Sequence, residues 1–363
     1  MIDRRAFKEI DWILIGLLIL NSVIGVVIIY SASHHLSGNY CLRQIFWVLG
    51  GLAVLFLILA VDYKILCTYS PYLYVVLVSV LAGMLIFAKL IAGTKSWIRF
   101  KFFQVQPSEI IKIIIILLLS QIFSEFKRNF LTSNGGALSA ALVGLPVFLI
   151  AFQPDLGTAL SLLPILLAAL LLAGLRRKSI IILLLVTLVI GVAGWNFYLK
   201  DYQKKRLTTL VSPGQDPQGS GYHILQSKIA IGSGGFLGKG FKKGTQSQLK
   251  FLPARHTDFV FSVIGEEFGF VGVLGVIMIY FLFLRRIFLS LGKSRDRAGV
   301  YIIFMVGMMI TFQFFVNVLM VAGLFPVAGV PLPLISYGGS SLLANFLGVA
   351  LVLNVKMRRF ANA

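Results

Sequence analysis

The sequence predicts an all-α polytopic membrane protein with about ten transmembrane helices and one large extracytoplasmic loop between helices 7 and 8. Of its 363 residues, 58% are hydrophobic and 13% are charged, whereas soluble domains are about half apolar and a quarter charged. The mean hydropathy is +0.92, and long apolar runs recur along the whole chain. A water-soluble globule of this composition would expose large apolar patches, so a soluble fold is excluded.

Ten segments are apolar enough and long enough for a helix of about 20 residues to cross a bilayer. Their approximate limits are 12–31, 44–61, 71–92, 109–123, 137–152, 156–174, 179–199, 259–285, 298–325 and 334–355. The connections are too short to form a separate soluble domain. We therefore predict one transmembrane domain over residues 1–363, with the large outer loop at about 200–258.

The distribution of basic residues predicts the orientation of these helices, because Lys and Arg concentrate in cytoplasmic connections. With the N-terminus inside, the inner segments hold 17 Lys and Arg, and the short outer connections hold four. This asymmetry predicts a multi-pass protein of the cytoplasmic (inner) membrane with both termini in the cytoplasm.

The loop at 200–258 departs from that distribution. It lies on the predicted outer side, yet it holds ten Lys and Arg against three Asp. Nine glycines lie within 212–244, and the apolar spacing within 222–231 predicts a short helix on the membrane surface. The net charge of +20 thus combines a topological signal with one basic outer loop. It indicates an anionic lipid as ligand and no nucleic-acid partner.

Four predicted helices run inward from the outer face, and their starts carry the most unusual motifs of the chain. These motifs are QPSE (106–109), QPDLGT (153–158), HTDF (256–259) and PLPLISYGGSS (331–341). Each motif could simply cap its own helix. Helix N-termini also bind phosphate, however. Their convergence beside a basic loop predicts an outer site for a phosphate or diphosphate carried by a lipid.

Charged residues inside predicted spans are candidate site residues, because a charge in the bilayer is costly. Glu109 and Lys112 are three residues apart and share a helical face. They form either a structural ion pair or a contact to substrate. One of the glutamates at 266–267 could pair with a polar neighbour, either Gln313 or Asn317.

A base that acts on an outer substrate must be a carboxylate or a histidine on that face. Asp258 is the best placed, because it lies where the basic loop re-enters the membrane, next to Arg255 and His256. Partial burial would raise the pKa of this carboxyl group, and the neighbouring cations would lower it.

Four stretches of the sequence resemble the SEDS family (shape, elongation, division and sporulation). They are QPSEIIK (106–112), QPDLGTAL (153–160), the segment from GYHILQSK to EEFGFVG (221–272) and AGLFPVAGVPLPLISYGGSS (322–341). Within the family, GKG followed by GTQSQLKFLP is more similar to the rod-shape (RodA-type) members than to the division (FtsW) members. The resemblance runs from the first predicted helix to the last.

The resemblance implies a ten-helix peptidoglycan glycosyltransferase that polymerises lipid II on the outer face of the membrane during cell elongation, with undecaprenyl diphosphate as leaving group. It implies that Asp258 is catalytic. It also implies functional roles for Glu109, Lys112, Asp155 and Arg206. We further assign Lys239 of the basic loop, His256 and Ser336 to substrate binding.

The resemblance also implies partners and a cofactor. The expected partners are lipid II, the nascent glycan, a class B penicillin-binding protein that acts as transpeptidase, and other membrane proteins of the elongation complex. A divalent cation, Mg or Mn, is expected, and the sequence assigns no ligands to it.

One departure from the family pattern lies next to the proposed catalytic residue. Family members usually read FLPE before HTDF, whereas this chain has Ala254 and Arg255 after Pro253. The missing carboxylate removes one candidate catalytic or metal-binding group. Two other functions fit ten helices with buried charges, namely a lipid II flippase and a non-catalytic scaffold of the wall-synthesis complex.

Overall fold

The computed structural model describes residues 10–34, 38–88, 93–100, 103–125, 135–174, 204, 209, 219–249, 251–252 and 254–358. Its long helices are α1 (Trp12–Ser33), α2 (Tyr40–Ala60), α3 (Tyr63–Phe87), α4 (Pro107–Glu125), α5 (Gly135–Phe152), α8 (Ser220–Gly234), α10 (Val260–Leu289), α11 (Arg297–Val321) and α12 (Gly339–Met357). Its shorter helices are α6 (Leu156–Leu160), α7 (Leu163–Leu172) and α9 (Thr245–Gln248). Two short antiparallel strands, β1 (Ile98–Arg99) and β2 (Gln104–Val105), precede α4.

Eight helices of the described residues are long and apolar enough to cross a membrane. The predicted polytopic helical fold is therefore confirmed. The seventh predicted span, 179–199, lies outside the described residues, as does most of the loop before α8.

The sixth predicted span, 156–174, is not one continuous helix. It consists of α6 and α7 with a turn at Ser161 and Leu162. The Ser161 hydroxyl donates to the Thr158 carbonyl oxygen at 2.6 Å, and Pro164 lies in the first turn of α7. Proline has no N–H to continue the preceding helix, so the chain turns before it.

Two opposite ends of the bundle are defined by α1. At one end Asp11 precedes α1 and forms ion pairs with Arg286 of α10 and Lys356 of α12. At the other end the Ser31 hydroxyl donates to Glu267 Oε1 at 2.6 Å. We call the first the Asp11 end. The second, where α10 begins after Asp258, is the Asp258 end.

Glycines in α1 and α2 allow these two helices to pack closely against α12 and the segment before it. A Cβ at Gly25 of α1 would lie 2.6 Å from the Ile335 carbonyl oxygen. A Cβ at Gly51 of α2 would lie 2.7 Å from the Phe346 ring. Helix α1 and helix α2 therefore pack closely on α12 and on the segment before it.

The helix predicted at 222–231 is present as α8, which packs against the first part of α10. Its buried face includes Ile224, Ser227 and Ala230, and the Ser227 hydroxyl lies 2.9 Å from that of Ser262. On the opposite face, Leu225 is 53% exposed. This division into a packed face and an apolar exposed face is typical of a helix at a membrane surface.

Candidate active site at the Asp258 turn

Asp258 lies on a short turn, residues 254–259, that leads into α10. The Ala254 carbonyl oxygen accepts hydrogen bonds from the Thr257 and Phe259 amides at 3.1 and 3.3 Å. Ala254 has a φ of +49°, which is a left-handed backbone conformation for a residue with a side chain. Asp258 is half-buried, and a Cβ at Gly329 would lie 3.9 Å from its Oδ2 atom.

The segment before α12 holds this turn through its backbone. The Ser336 hydroxyl donates to the Thr257 carbonyl oxygen at 2.5 Å and accepts from the Leu332 amide at 2.9 Å. The Tyr337 amide donates to the His256 carbonyl oxygen at 2.8 Å. Ser336, which the sequence assigns to substrate binding, therefore serves to fix the turn in this structure.

Asn317 of α11 connects the Asp258 turn to the segment before α12. Its Nδ2 donates to the Asp258 carbonyl oxygen at 3.0 Å and to the Val330 carbonyl oxygen at 2.8 Å. The expectation that Asn317 pairs with a buried glutamate is wrong, because its amide reaches these two carbonyl groups instead. A buried asparagine in an apolar helix was the only sequence signal for this role.

His256 is half-buried and lies among aromatic rings. Its ring centroid is 4.6 Å from that of Tyr40 and 5.8 Å from that of Tyr337. Burial, and then the adjacent charge of Arg255, lower the pKa of His256. Its Nδ1 atom is buried and has no hydrogen-bond partner within the described part of the chain. Burial and the charge of Arg255 therefore both disfavour the protonated imidazole.

The starts of α4, α6 and α12 meet beside this turn. The Gln106 amide donates to the Ser340 hydroxyl at 2.9 Å, and Gln106 Nε2 donates to Asp155 Oδ2 at 2.6 Å. Asp155 also caps α6 by accepting from the Thr158 amide at 3.3 Å. Asp155 thus links two helix starts, and the predicted convergence of the motifs is confirmed.

Glycine at position 157 brings α6 against the loop that lies behind Asp258. A Cβ at Gly157 would overlap the Ala328 carbonyl oxygen. The next residue of that loop is Gly329, which lies beside the Asp258 carboxylate. The start of α6 therefore supports the Asp258 turn through two adjacent residues.

Glu109 and Lys112 form an ion pair within α4, with 2.8 Å between Lys112 Nζ and Glu109 Oε2. Lys112 is 1% exposed and Glu109 is 4% exposed. The structure therefore shows the two side chains paired one turn below Gln106, and their contact with substrate stays a prediction.

Lys239 is also paired. Its Nζ atom lies 2.9 Å from Glu266 Oε1 and 2.7 Å from the Thr245 hydroxyl. The partner of Glu266 is thus a lysine of the basic loop and not a polar residue of α11. Arg206, which the resemblance assigns to the site, lies outside the described residues.

The donors expected for a divalent cation do not form a protein-only site. Among the described residues, no group of three or more His, Cys, Asp or Glu side chains could hold a metal ion. Asp258 is the carboxylate of the turn itself, and Ala254 supplies no second one. These residues do not fit a complete metal cage.

The fold and the site define a polytopic helical membrane protein whose half-buried carboxylate is held at the meeting point of several helix starts. The family model FTSW_RODA_SPOVE, described as cell cycle protein, matches residues 11–360, and the chain belongs to this family.

Relatives and solved structures agree with this family over nearly the full chain. The chain is 36% identical to "Peptidoglycan glycosyltransferase MrdB" of Escherichia coli K12, over 98% of this chain and 97% of that protein. It is 34% identical to "Stage V sporulation protein E" of Bacillus subtilis, over 98% of each.

Two solved structures are similar in fold and in sequence. One, described as "Structural coordination of polymerization and crosslinking by a peptidoglycan synthase complex", has a TM-score of 0.82 and 33% identity, covering 97% of this chain and 98% of that chain. The other is the Rod shape determining protein RodA of Thermus thermophilus, with a TM-score of 0.73 and 30% identity over the same shares.

Several residues of the site were not predicted from the sequence. The partners of Gln106 and Asn317 lie at long sequence separations, and Gly329 has a φ of +67° beside the Asp258 carboxylate. The sequence predicts Arg255 only as a cation next to Asp258. It is 4% exposed, and its guanidinium donates to the Ser247 carbonyl oxygen.

Proposed function

We propose that this protein polymerises lipid II into glycan strands, with Asp258 as the general base and undecaprenyl diphosphate as the leaving group. The activity class, peptidoglycan glycosyltransferase in cell-wall synthesis, follows from family membership and from relatives of that name at up to 36% identity. The role of Asp258 is supported by one observation above all. Its turn is fixed by backbone hydrogen bonds at the place where four helix starts meet.

The proposed reaction is a direct displacement at the anomeric carbon of the donor sugar. A hydroxyl oxygen of the acceptor sugar forms a bond to that carbon, and the bond from that carbon to the diphosphate oxygen breaks. Asp258 removes the hydroxyl proton as the new bond forms. A β-linked product from an α-linked donor would mean inversion of configuration, as expected of one displacement.

Positive potential near the turn would stabilise the departing diphosphate. Helix α12 (Gly339–Met357) begins at this end without a side-chain cap, and helix N-termini favour anions. Lys242 and Lys243 of the basic loop lie on the same end of the molecule. Lys242 is half-buried and Lys243 is exposed. Lys239 contributes less, because Glu266 balances its charge.

A divalent cation, Mg or Mn, belongs to the proposal as a companion of the diphosphate. Mg²⁺ sites often combine one or two carboxylates with substrate phosphates. Because the described residues form no complete site, no step of the displacement is assigned to the ion. Its test is the dependence of the polymerisation rate on added Mg²⁺ or Mn²⁺ after chelation.

Orientation and partners are proposed with the activity. The 17 basic residues of the inner segments favour cytoplasmic termini and an extracytoplasmic Asp258 end. A class B penicillin-binding protein is the proposed partner, since the similar synthase complex is described as coordinating polymerisation with crosslinking. Other membrane proteins of the elongation complex are proposed on the resemblance alone.

The test is incubation of the purified protein with labelled lipid II, followed by separation of glycan by length. We expect long glycan from the wild type and none from Asp258→Asn, provided that the variant unfolds at the same temperature as the wild type. Lipid II that crosses vesicle membranes without polymerising would favour the flippase. Neither glycan nor transport would favour the scaffold. An Asp258→Asn protein with the normal rate would remove the assignment of the base.

A further inference from the structure

Helix α10 is interrupted at Gly269, and the chain that follows α8 is hydrogen-bonded along this break. Gly269 has a φ of +63°, so the α10 backbone leaves the helical conformation at this residue. Four backbone hydrogen bonds join the two segments: Lys239 N to Glu266 O at 3.0 Å, Gly240 N to Glu267 O at 2.9 Å, Phe270 N to Gly235 O at 2.9 Å and Val271 N to Phe236 O at 3.2 Å. The part of the basic loop at residues 235–240 is thereby fixed to α10.

The Glu266 carboxylate lies at the centre of this arrangement and is fully buried. Its four donors come from the basic loop and the start of α9: Lys239 Nζ at 2.9 Å, the Thr245 hydroxyl at 3.2 Å, the Gln246 amide at 2.7 Å and the Ser247 amide at 2.9 Å. Such charge-assisted hydrogen bonds are stronger than neutral ones. The proposed mechanism makes no use of this carboxylate.

Helix α9 is in turn bound to the turn that carries Asp258. The Arg255 guanidinium donates to the Ser247 carbonyl oxygen, and the Leu252 amide donates to the Gln246 carbonyl oxygen at 3.2 Å. Arg255 is three residues before Asp258 and is 4% exposed. Its anchoring therefore limits the positions that the Asp258 backbone can take.

Ser247 connects two buried charges of opposite sign. Its amide donates to Glu266 and its carbonyl oxygen accepts from Arg255. The two contacts lie on the two peptide groups that flank the Ser247 Cα atom, so together they fix the backbone of this residue on both sides. A buried guanidinium requires such a fixed acceptor, since an unpaired buried charge is costly.

We propose that Glu266 is a positioning residue for the glycosyl transfer, because it fixes the backbone of Ser247, whose carbonyl oxygen holds Arg255 and, through Arg255, the Asp258 turn. This inference rests on the proposed function of Asp258. Glu266, the first residue of the Glu-Glu motif at 266–267, would then contribute to the reaction. The same hydrogen bonds attach this part of the basic loop to α10.

The test is a double-variant cycle in the lipid II polymerisation assay with Glu266→Gln, Arg255→Lys and the two combined. Each single change should lower kcat by up to about 100-fold, the cost expected of a misplaced catalytic group, with KM unchanged. The double variant should be no slower than the slower single variant, because both act on one connection. A matched control is Asp11→Asn, which alters another buried, ion-paired carboxylate at the far end of the bundle and should leave kcat unchanged.

Four outcomes decide between the possibilities. Multiplying kcat losses in the double variant, or a rise in KM alone, would overturn the positioning role. Wild-type kcat in Glu266→Gln would also overturn it, while leaving the function of Asp258 intact. Absence of glycan from the wild type would instead remove the proposed function. If Glu266→Gln fails to fold, Arg255→Lys serves as the second test. Its kcat should fall with KM unchanged, and a wild-type kcat in this variant would overturn the proposed connection to the Asp258 turn.

Discussion

The two ends of the bundle both contain buried charged residues, but these residues connect different parts of the chain. At the Asp11 end the ion pairs join the ends of long helices. Asp11 binds Arg286 of α10 and Lys356 of α12, and Arg358 lies 3.4 Å from Asp62 before α3. Contacts of this kind close the bundle.

At the Asp258 end, buried charged and polar side chains instead bind loops and turns. Glu266 binds the basic loop and α9, and Asn317 binds the backbone of Asp258. Three hydrogen bonds that hold the turn are accepted by backbone atoms of Thr257, His256 and Asp258. Similar buried polar contacts therefore close the helix bundle at one end and fix the turn of the proposed base at the other.

The largest effect is expected from breaking the Glu109–Lys112 pair, which lies at the Asp258 end but resembles the pairs of the Asp11 end. In Glu109→Gln, Lys112 is left as an uncompensated buried charge. The protein should lose about 3–5 kcal/mol in free energy of unfolding. Thermal unfolding in detergent measures this loss.

The double variant Glu109→Leu with Lys112→Met separates stability from function. Replacing a whole buried pair by apolar residues is often nearly neutral, so the stability should return. Because the family resemblance makes both residues functionally sensitive, we expect polymerisation not to return. A double variant that polymerises at the wild-type rate would place this pair with the purely structural charges of the Asp11 end.

A smaller effect is expected from Gly157→Ala, which pushes α6 away from Ala328. The added Cβ overlaps a backbone oxygen, and overpacking of this kind costs about 1–3 kcal/mol. Because Gly329 follows Ala328 and lies beside Asp258, kcat should fall as well. Gly144→Ala in α5 is the matched control, since its Cβ meets no atom within 4 Å. The control should be neutral or slightly stabilising, and equal kcat in the two variants would contradict the support role of α6.

The smallest effect is a pH dependence due to His256. Its pKa is lowered in the folded protein by burial and by Arg255, so the unfolded chain binds more protons between the folded value and the ordinary 6.5. Stability should therefore fall as the pH decreases below about 6.5, by at most about 1.4 kcal/mol for each unit of pKa difference. Unfolding temperatures measured from pH 7.5 to 5.5 should show a weaker decrease in His256→Gln. An identical decrease in both proteins would contradict the burial of a neutral imidazole.

Most of the helical architecture could be predicted from hydropathy, because a span needs only a local run of apolar residues. The break between α6 and α7 was missed, since Pro164 lies inside an otherwise apolar run and its effect depends on the turn before it. Where the last span begins also differed. It begins at Gly339 and not at 334, because the Ser336 and Tyr337 backbone is committed to the Asp258 turn.

The site was predicted in part, for a physical reason. Motifs at helix starts are local in sequence, so their convergence and the candidate Asp258 could be proposed from spacing and resemblance. The partners of Lys239, Arg255 and Asn317 are set by contacts between distant segments. The spacing of residues along one sequence does not show which distant segments come into contact. Lys239 was therefore assigned to substrate, whereas the structure pairs it with Glu266.

Measurement of kcat and of the unfolding transition on two matched variants, Asp258→Asn and Asp11→Asn, tests the proposed role of the Asp258 end most directly. The first should lose about 10²–10⁴-fold in kcat, the contribution of general acid–base catalysis, with its unfolding transition unchanged. The second should lose about 3 kcal/mol in stability with kcat unchanged. A wild-type rate in Asp258→Asn, or a kcat loss confined to Asp11→Asn, would contradict the assignment of chemistry to the Asp258 end.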